Sequence, residues 1–552
     1  MTGATTIVNM LGHYYRTNQP DKGVMREVTQ PEDRKPGRCV ALMFLPLLAA
    51  ILLSPATTAA SSCESLTSIS LPSTTVTSAQ MVAAGNFIPP TASDAGQAFK
   101  TLPAFCRVAA TIKPTDDSDI KIEVWMPASG WNGKFLGVGG GGFAGVISYG
   151  AMGAALRAGY ATASTDTGHS GWITTARWAL GHPEMLIDFA YRSVHETTVK
   201  AKQIVEAYYG AKPKRSYFEG CSRGGYQGLV EAARYPDDYD GIVAGASGVF
   251  PAGYNADQLW VGGAALKNPD SYIPPAKYEI IHREVLAACD ALDGAKDGLL
   301  EDPRLCAFDP GILLCQGPDT ADCLTGPQVG AARKIYTSPK NPRTGEVLAP
   351  PLERGSELAW RALAGGPVPS QIATEFFKYL VFEDPNWDWK TFDFDRDMER
   401  TERKVGTVMA TSPDLSAFAK LGGKLIMYHG WADERIAPGN SIDYRDRVVR
   451  LLGATRTKTF LRLYMAPGMN HCGGGDGPNS FDMLSALDQW VEHGKAPSRI
   501  VASHSTDGKV DRTRPLCPYP QIAKYKGSGS TDEAANFVCT QNRQYSGTKA
   551  AR

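Results

Sequence analysis

The sequence predicts an α/β fold, a mainly parallel sheet covered by helices on both faces, with a large cap inserted partway along the chain. Three observations predict it: strand-like and helix-like stretches alternate from about residue 120, the alternation stops near Val249, and it resumes at about 413. "IKIEVWMPASGWNGKFLGVGGGGFAG" reads as two strands around a turn, ending in a glycine-rich loop, and "AGYATASTDTGHSG" as a buried strand and loop. "MLIDFAYRSVHETTVKAKQIVEAYYG" has helical spacing and a glycine stop. "RSYFEG" is a strand, "GYQGLVEAARYP" starts a helix, and "YDGIVAGAS" is the next strand. From 250 to 412 the chain is rich in Pro, Gly, Trp and Asp, with no such rhythm. An irregular insert between two halves of a regular pattern reads as a cap, with a separate third domain as the alternative. "GGKLIMYHGWADERI", "SIDYRDRVVRLLG" and "KTFLRLYMAPGMNHCGGG" then restore strand, helix and strand. No internal repeat is visible.

Of 552 residues, 43% are apolar, enough to bury a substantial core. With 57 basic and 57 acidic residues the formal charge is +0, and neither sign forms a long run. Composition therefore excludes a nucleic-acid footprint and a polybasic membrane anchor, and favours a small molecule or neutral polymer as partner. Residues 1–60 read as an export signal: basic residues, an apolar stretch from Cys39 to Leu53, then small residues ending near Ala60. The polar residues before Met25 make Met25 an alternative start. The apolar stretch is shorter than the roughly 20 residues a bilayer span needs. A cleaved signal and a secreted or periplasmic location are expected, with an uncleaved anchor as the alternative. Of the 11 cysteines, Cys39 lies in the signal. The even remainder fits five disulfides in an oxidising compartment, against buried thiols or metal ligands. No C-x-x-C pair suggests zinc.

"GCSRG" at 220–224 is a Gly-x-Ser-x-Gly motif between a strand and a helix. Its glycines permit a sharp turn that exposes Ser222, and the helix N-terminus favours developing negative charge. A serine capping a glycine turn would look similar. Candidate partners follow in the order serine, acid, histidine: Asp433 after "KLIMYHG" and His471 after "KTFLRLYMA", both in loops at strand C-termini. Asp433 would orient His471, which would take and return the Ser222 proton; Glu434 and Asp476 are the rival acids. The expected fold is thus an α/β-hydrolase whose lid domain (250–412) lies between the nucleophile region (61–249) and the strands carrying Asp433 and His471 (413–552). The N–H of Arg223 and one from the glycine loop 139–142, assigned to Gly142, would hold the oxyanion.

Cys221 precedes Ser222, and Cys472 follows His471. If catalysis brings those loops together, a Cys221–Cys472 disulfide would silence the thiol and hold serine and histidine in register. In the chain-entropy picture, closing so long a loop stabilises by about 5 kcal/mol at most.

With this doubled pattern, the stretches "WNGKFLGVGGGGFAG", "STDTGH", "GCSRGGYQG", "YPDDYDGIVAGA", "LGGKLIMYHGWAD" and "NHC" resemble the tannase and feruloyl esterase family, which includes mono(2-hydroxyethyl) terephthalate hydrolase. The resemblance spans about residues 63 to 540. It implies hydrolysis of esters of aromatic acids and a structural Ca²⁺ in the lid. Asp290, Asp293 and Asp297 in "CDALDGAKDGLLEDPRLC" are hard ligands in a short loop, although a solvated acidic turn would read alike. By resemblance the carbonyls of Ala295 and Leu299 complete that shell. The resemblance also implies the pairs Cys63–Cys106, Cys221–Cys472, Cys289–Cys306, Cys315–Cys323 and Cys517–Cys539.

An aromatic acyl group needs a flat apolar slot. Phe376, Phe377, Tyr379, Trp387, Trp389, Phe392 and Phe394 are candidates for it, or for ordinary lid core. Arg223 stands where the terephthalate-monoester hydrolase carries another residue, which favours feruloyl-type esters. The expectation is a secreted serine esterase acting on hydroxycinnamic esters of plant origin. Gallate or terephthalate monoesters are alternatives on the same machinery, a serine peptidase is a lesser rival, and a calcium-stabilised binding protein is the non-enzymatic alternative.

Overall fold

The computed structural model describes residues 61–90 and 96–542; the expected export signal, residues 1–60, lies outside them. Nine strands form one sheet: β1 Thr74–Val82, β2 Phe105–Ile112, β3 Ile120–Pro127, β4 Lys134–Val138, β5 Ala161–Thr165, β6 Arg215–Cys221, β7 Gly241–Gly245, β8 Lys424–Gly430 and β9 Leu461–Ala466. Their spatial order is β1-β2-β3-β5-β4-β6-β7-β8-β9. β1, β2, β3 and β5 pair antiparallel in succession, and every pairing from β5 to β9 is parallel.

Successive residues of a strand face opposite sides, so a strand covered on both faces must be apolar throughout. Tyr217 and Phe218 in β6, and Ile242 and Val243 in β7, show this. Phe218 and Ile242 pack with Ala201, Ile204 and Leu229 from the helices Ser193–Tyr209 and Arg223–Arg234. Tyr217 and Val243 pack on the other face with Met152, Leu156 and Leu487, from the helices Tyr149–Arg157 and Met483–His493. The doubly covered parallel sheet is the expected α/β-hydrolase core.

Two local expectations differ from the structure. β3 and β4 are not paired, because β5 lies between them. The segment that joins them carries the chain across the sheet, and Trp131 stacks on Tyr209 with 3.9 Å between ring centroids. Second, the chain between β7 and β8 is more helical than its composition suggested. It contains the helices Pro251–Leu266, Tyr278–Cys289 and Gly326–Ile335. Two glycines of the first of these serve close packing: a Cβ on Gly262 would stand 2.3 Å from Pro369, and one on Gly253 2.6 Å from Leu348 O.

This insert has its own apolar core, in which Val261, Ile281, Val285, Ile335 and Trp360 are buried. A second cluster joins it to the sheet's loops, with Leu259, Phe376 and Phe377 against Phe143 and Phe189. Glu375 reinforces that junction by accepting the N–H of Ala176 at 3.2 Å and the hydroxyl of Thr175 at 3.3 Å. Beyond β9, two hairpins close the chain: β10 Ile500–Thr506 with β11 Lys509–Leu516, and β12 Gln521–Tyr525 with β13 Phe537–Gln541. Among the described residues, no helix is long and apolar enough to cross a membrane.

Candidate active site

Ser222 occupies the junction of β6 with the following helix at φ 60°, ψ −116°, a left-handed conformation costly for a side-chain-bearing residue. Its surroundings hold it there. Its N–H donates to Gly245 O at 2.9 Å, and its carbonyl accepts the N–H groups of Tyr226 and Gly248, both at 3.0 Å. The flanking glycines are steric requirements, since a Cβ on Gly220 would lie 2.6 Å from the Gly224 carbonyl carbon, and one on Gly225 would lie 2.4 Å from Gly245 O.

The loops after β8 and β9 bring Asp433 and His471 together, with His471 Nδ1 2.8 Å from Asp433 Oδ2. Asp433 is fully buried, and its other oxygen accepts the backbone N–H groups of Arg435 and Ile436 at 2.8 and 2.9 Å. Burial alone would raise this carboxyl's pKa, but the charge of His471 and the hydrogen bonds from His429 and His471 outweigh it, leaving the group well below the usual carboxylate range. The rival acids stand elsewhere. Glu434 accepts the backbone N–H of His471 at 3.4 Å, and Asp476 lies 3.8 Å from His282.

Cys221 and Cys472 form a disulfide across 251 positions, with Cα atoms 5.9 Å apart. The structure also forms Cys63–Cys106, Cys289–Cys306, Cys315–Cys323 and Cys517–Cys539. Ser222 and His471 line one cleft together with Gly142, Phe143, Phe189 and Tyr254. The glycine loop is fixed on two sides: Gly140 N–H donates to Gln227 Oε1 at 3.0 Å, and Phe143 N–H donates to Ile173 O at 2.7 Å. Gly142, at φ 54°, must lack a side chain, because a Cβ there would stand 2.2 Å from Ile173 O.

The side chain of Arg223 is now placed. Its buried guanidinium carbon sits 3.6 Å from the Phe189 ring centroid and 4.1 Å from that of Tyr226, and the group donates to Phe189 O. It also lines the cleft. Of the aromatic residues singled out in the insert, Phe376 lines the cleft; Phe377, Tyr379, Trp389 and Phe392 are buried in the insert's junction with the sheet, and Trp387 and Phe394 pack against them. Phe143 and Phe189, outside the insert, supply aromatic wall that sequence reasoning missed. His429 was missed too, since it read as an ordinary strand residue.

Asp290, Asp293 and Asp297 lie in one loop, where Ala295 and Leu299 are buried. Asp290 accepts the N–H groups of Asp297 and Gly298, and Asp293 accepts those of Ala295 and Glu301. From 217 residues away, the fully buried Arg514 donates to Asp297 and, at 3.2 Å, to Glu301. Asp297 and Glu301 thus share the Arg514 guanidinium, while Asp290 and Asp293 are held by backbone N–H groups of the same loop.

Burial favours the neutral form of His471, but the Asp433 carboxylate outweighs it and raises the imidazole's pKa. NMR titration of His471 is therefore expected to give a midpoint above the ordinary histidine value of about 6.5, and Asp433→Asn is expected to lower it.

Residues 106–540 match the family described as tannase and feruloyl esterase. The chain is 39% identical over 555 residues to an uncharacterised esterase of Xanthomonas campestris pv. campestris, covering 92% of this chain and 95% of that protein. It is 36% identical over 457 residues to the probable feruloyl esterase B-1 of Aspergillus flavus, covering 78% of this chain and 85% of that protein. The structure superposes on feruloyl esterase B from Aspergillus oryzae with a TM-score of 0.81 at 31% identity, over 87% of this chain and 99% of that one. The chain belongs to the tannase and feruloyl esterase family and is a carboxylic ester hydrolase.

Proposed function

We propose that the protein is an exported serine esterase that releases hydroxycinnamic acids, such as ferulic acid, from plant-derived esters. The observation that carries this reading is the single cleft shared by Ser222 and His471, with Asp433 on the far side of the imidazole. Ser222 Oγ attacks the ester carbonyl as His471 Nε2 takes its proton. The N–H groups of Arg223 and Gly142 receive the oxyanion, and the nearby Arg223 guanidinium favours the same charge. Collapse expels the alcohol, protonated by His471. A water deprotonated by His471 then cleaves the acyl-enzyme, yielding the acid and free Ser222. The relatives named feruloyl esterase B support a feruloyl substrate. Phe143, Phe189 and Phe376 supply flat apolar wall for an aromatic acyl group. The insert is read as the lid that completes this slot, and the five disulfides favour an oxidising compartment.

The acidic loop is read as a structural Ca²⁺ site, held by the carboxylates of Asp290, Asp293 and Asp297 and the carbonyls of Ala295 and Leu299. The ion would offset the charge of these carboxylates and brace the insert against the C-terminal hairpins.

Wild type is expected to hydrolyse methyl ferulate with higher kcat/KM than methyl gallate or mono(2-hydroxyethyl) terephthalate, and Ser222→Ala to lose at least about 10³-fold. A preference for gallate would replace the feruloyl reading with a tannase one; a fully active Ser222→Ala would end the serine mechanism. Mild reductant is expected to abolish turnover before global unfolding, and Cys221→Ala/Cys472→Ala to lose kcat while still folding. Chelator is expected to lower Tm by several degrees and slow turnover far less; an unchanged Tm would remove the metal claim.

A further inference from the structure

His429, in β8, has no exposed side-chain surface. Its Nε2 lies 3.0 Å from Asp433 Oδ2, the oxygen that also receives His471, and 2.9 Å from the carbonyl of Ile436. Its Nδ1 lies 2.7 Å from Ser441 Oγ, in the first turn of the helix Gly439–Leu452. Both partners of Nε2 are acceptors, an ionised carboxylate and a carbonyl, so Nε2 carries the hydrogen. The Ser441 hydroxyl partners Nδ1 and fixes the plane of the ring.

We propose that His429 is a positioning residue for ester hydrolysis, acting through Asp433; the inference rests on the reading of Ser222, Asp433 and His471 as the catalytic triad. The backbone N–H groups of Arg435 and Ile436 anchor Oδ1, which alone leaves the carboxylate plane able to rotate about that anchor. The His429 donor fixes the second oxygen, and with it the line along which His471 Nδ1 is held and Nε2 is aimed. It also moderates the acid. A second N–H on Oδ2 spreads its charge, so Asp433 stabilises the imidazolium without becoming basic enough to capture its proton. Ser441 and the Ile436 carbonyl hold the His429 ring in the orientation that does this.

The sign of the effect follows. Removing the Nε2 donor concentrates negative charge on Oδ2 and raises the His471 pKa, moving the acid limb of kcat/KM to higher pH while loosened orientation lowers the plateau. Glu434 and Arg435, which also face His471, stay in place in every variant and affect all profiles alike.

The experiment compares His429→Gln, His429→Asn and His429→Leu with wild type on methyl ferulate, with Tm measured for each. The glutamine amide can place an N–H where Nε2 was, and the shorter asparagine cannot. Gln is expected to stay within about fivefold of wild type in kcat/KM; Asn and Leu are expected to lose about 10²-fold and to shift the acid limb up by about half a pH unit. A purely structural histidine would give losses that track Tm and leave the limb unmoved. If Leu does not fold, the Gln–Asn pair decides: equal activity in that pair, or an unmoved limb in Asn, overturns the inference. Ser222→Ala runs alongside. Its inactivity together with a wild-type-like Asn variant would overturn the role of His429 alone, whereas an active Ser222→Ala would overturn the triad and this role with it.

Discussion

The Cys221–Cys472 bond joins the turn that presents the serine to the loop that presents the histidine, and most features of the site follow from holding those two segments in contact. Each is difficult to hold. Ser222 has a left-handed backbone. His471 sits in a glycine-rich loop where Cys472 is itself at φ 65°. Both belong to loops at the C-terminal ends of parallel strands, where the sheet provides anchors but little lateral restraint. The disulfide adds that restraint next to the reacting atoms. It also leaves Cys221 without a free thiol beside Ser222.

Electrostatics works on the same scale. Asp433 is stripped of water and receives four N–H donors, two from backbone and two from histidines. These offset the burial cost and keep the carboxylate ionised. The buried Arg223 guanidinium, held between Phe189 and Tyr226, pairs with no carboxylate among the described residues and lines the cleft. Phe376 of the insert lines that cleft, and Arg514 from the C-terminal hairpins pairs with Asp297 and Glu301 in the acidic loop.

The parts of this arrangement readable from sequence are those written in neighbouring residues. The glycines around Ser222 declare a tight turn, and the cysteines beside Ser222 and His471 declare that two distant turns meet. The order of the three polar residues along the chain names the sheet edge they share. Partners chosen by the fold were not readable. Arg514 lies 217 positions from Asp297, with no local pattern that marks it as the partner of Asp297 and Glu301. His429 sits in a strand whose alternation explains its burial without suggesting a polar task. The aromatics of the insert looked like a slot because they are dense, but density also describes a core, and Phe143 and Phe189 were hidden in segments read for their glycines or helical period. The pairing of β3 with β5 rather than β4 likewise depends on long-range contacts that no turn residue specifies.

The most direct test of this account is mass spectrometry of the native, non-reduced protein after treatment with a fluorophosphonate, which couples to an activated serine oxygen with loss of fluoride. The account predicts one disulfide-linked peptide pair that contains both Cys221–Cys472 and a phosphonyl group on Ser222. Free Cys221 thiol, or labelling at another serine with Ser222 untouched, would contradict it.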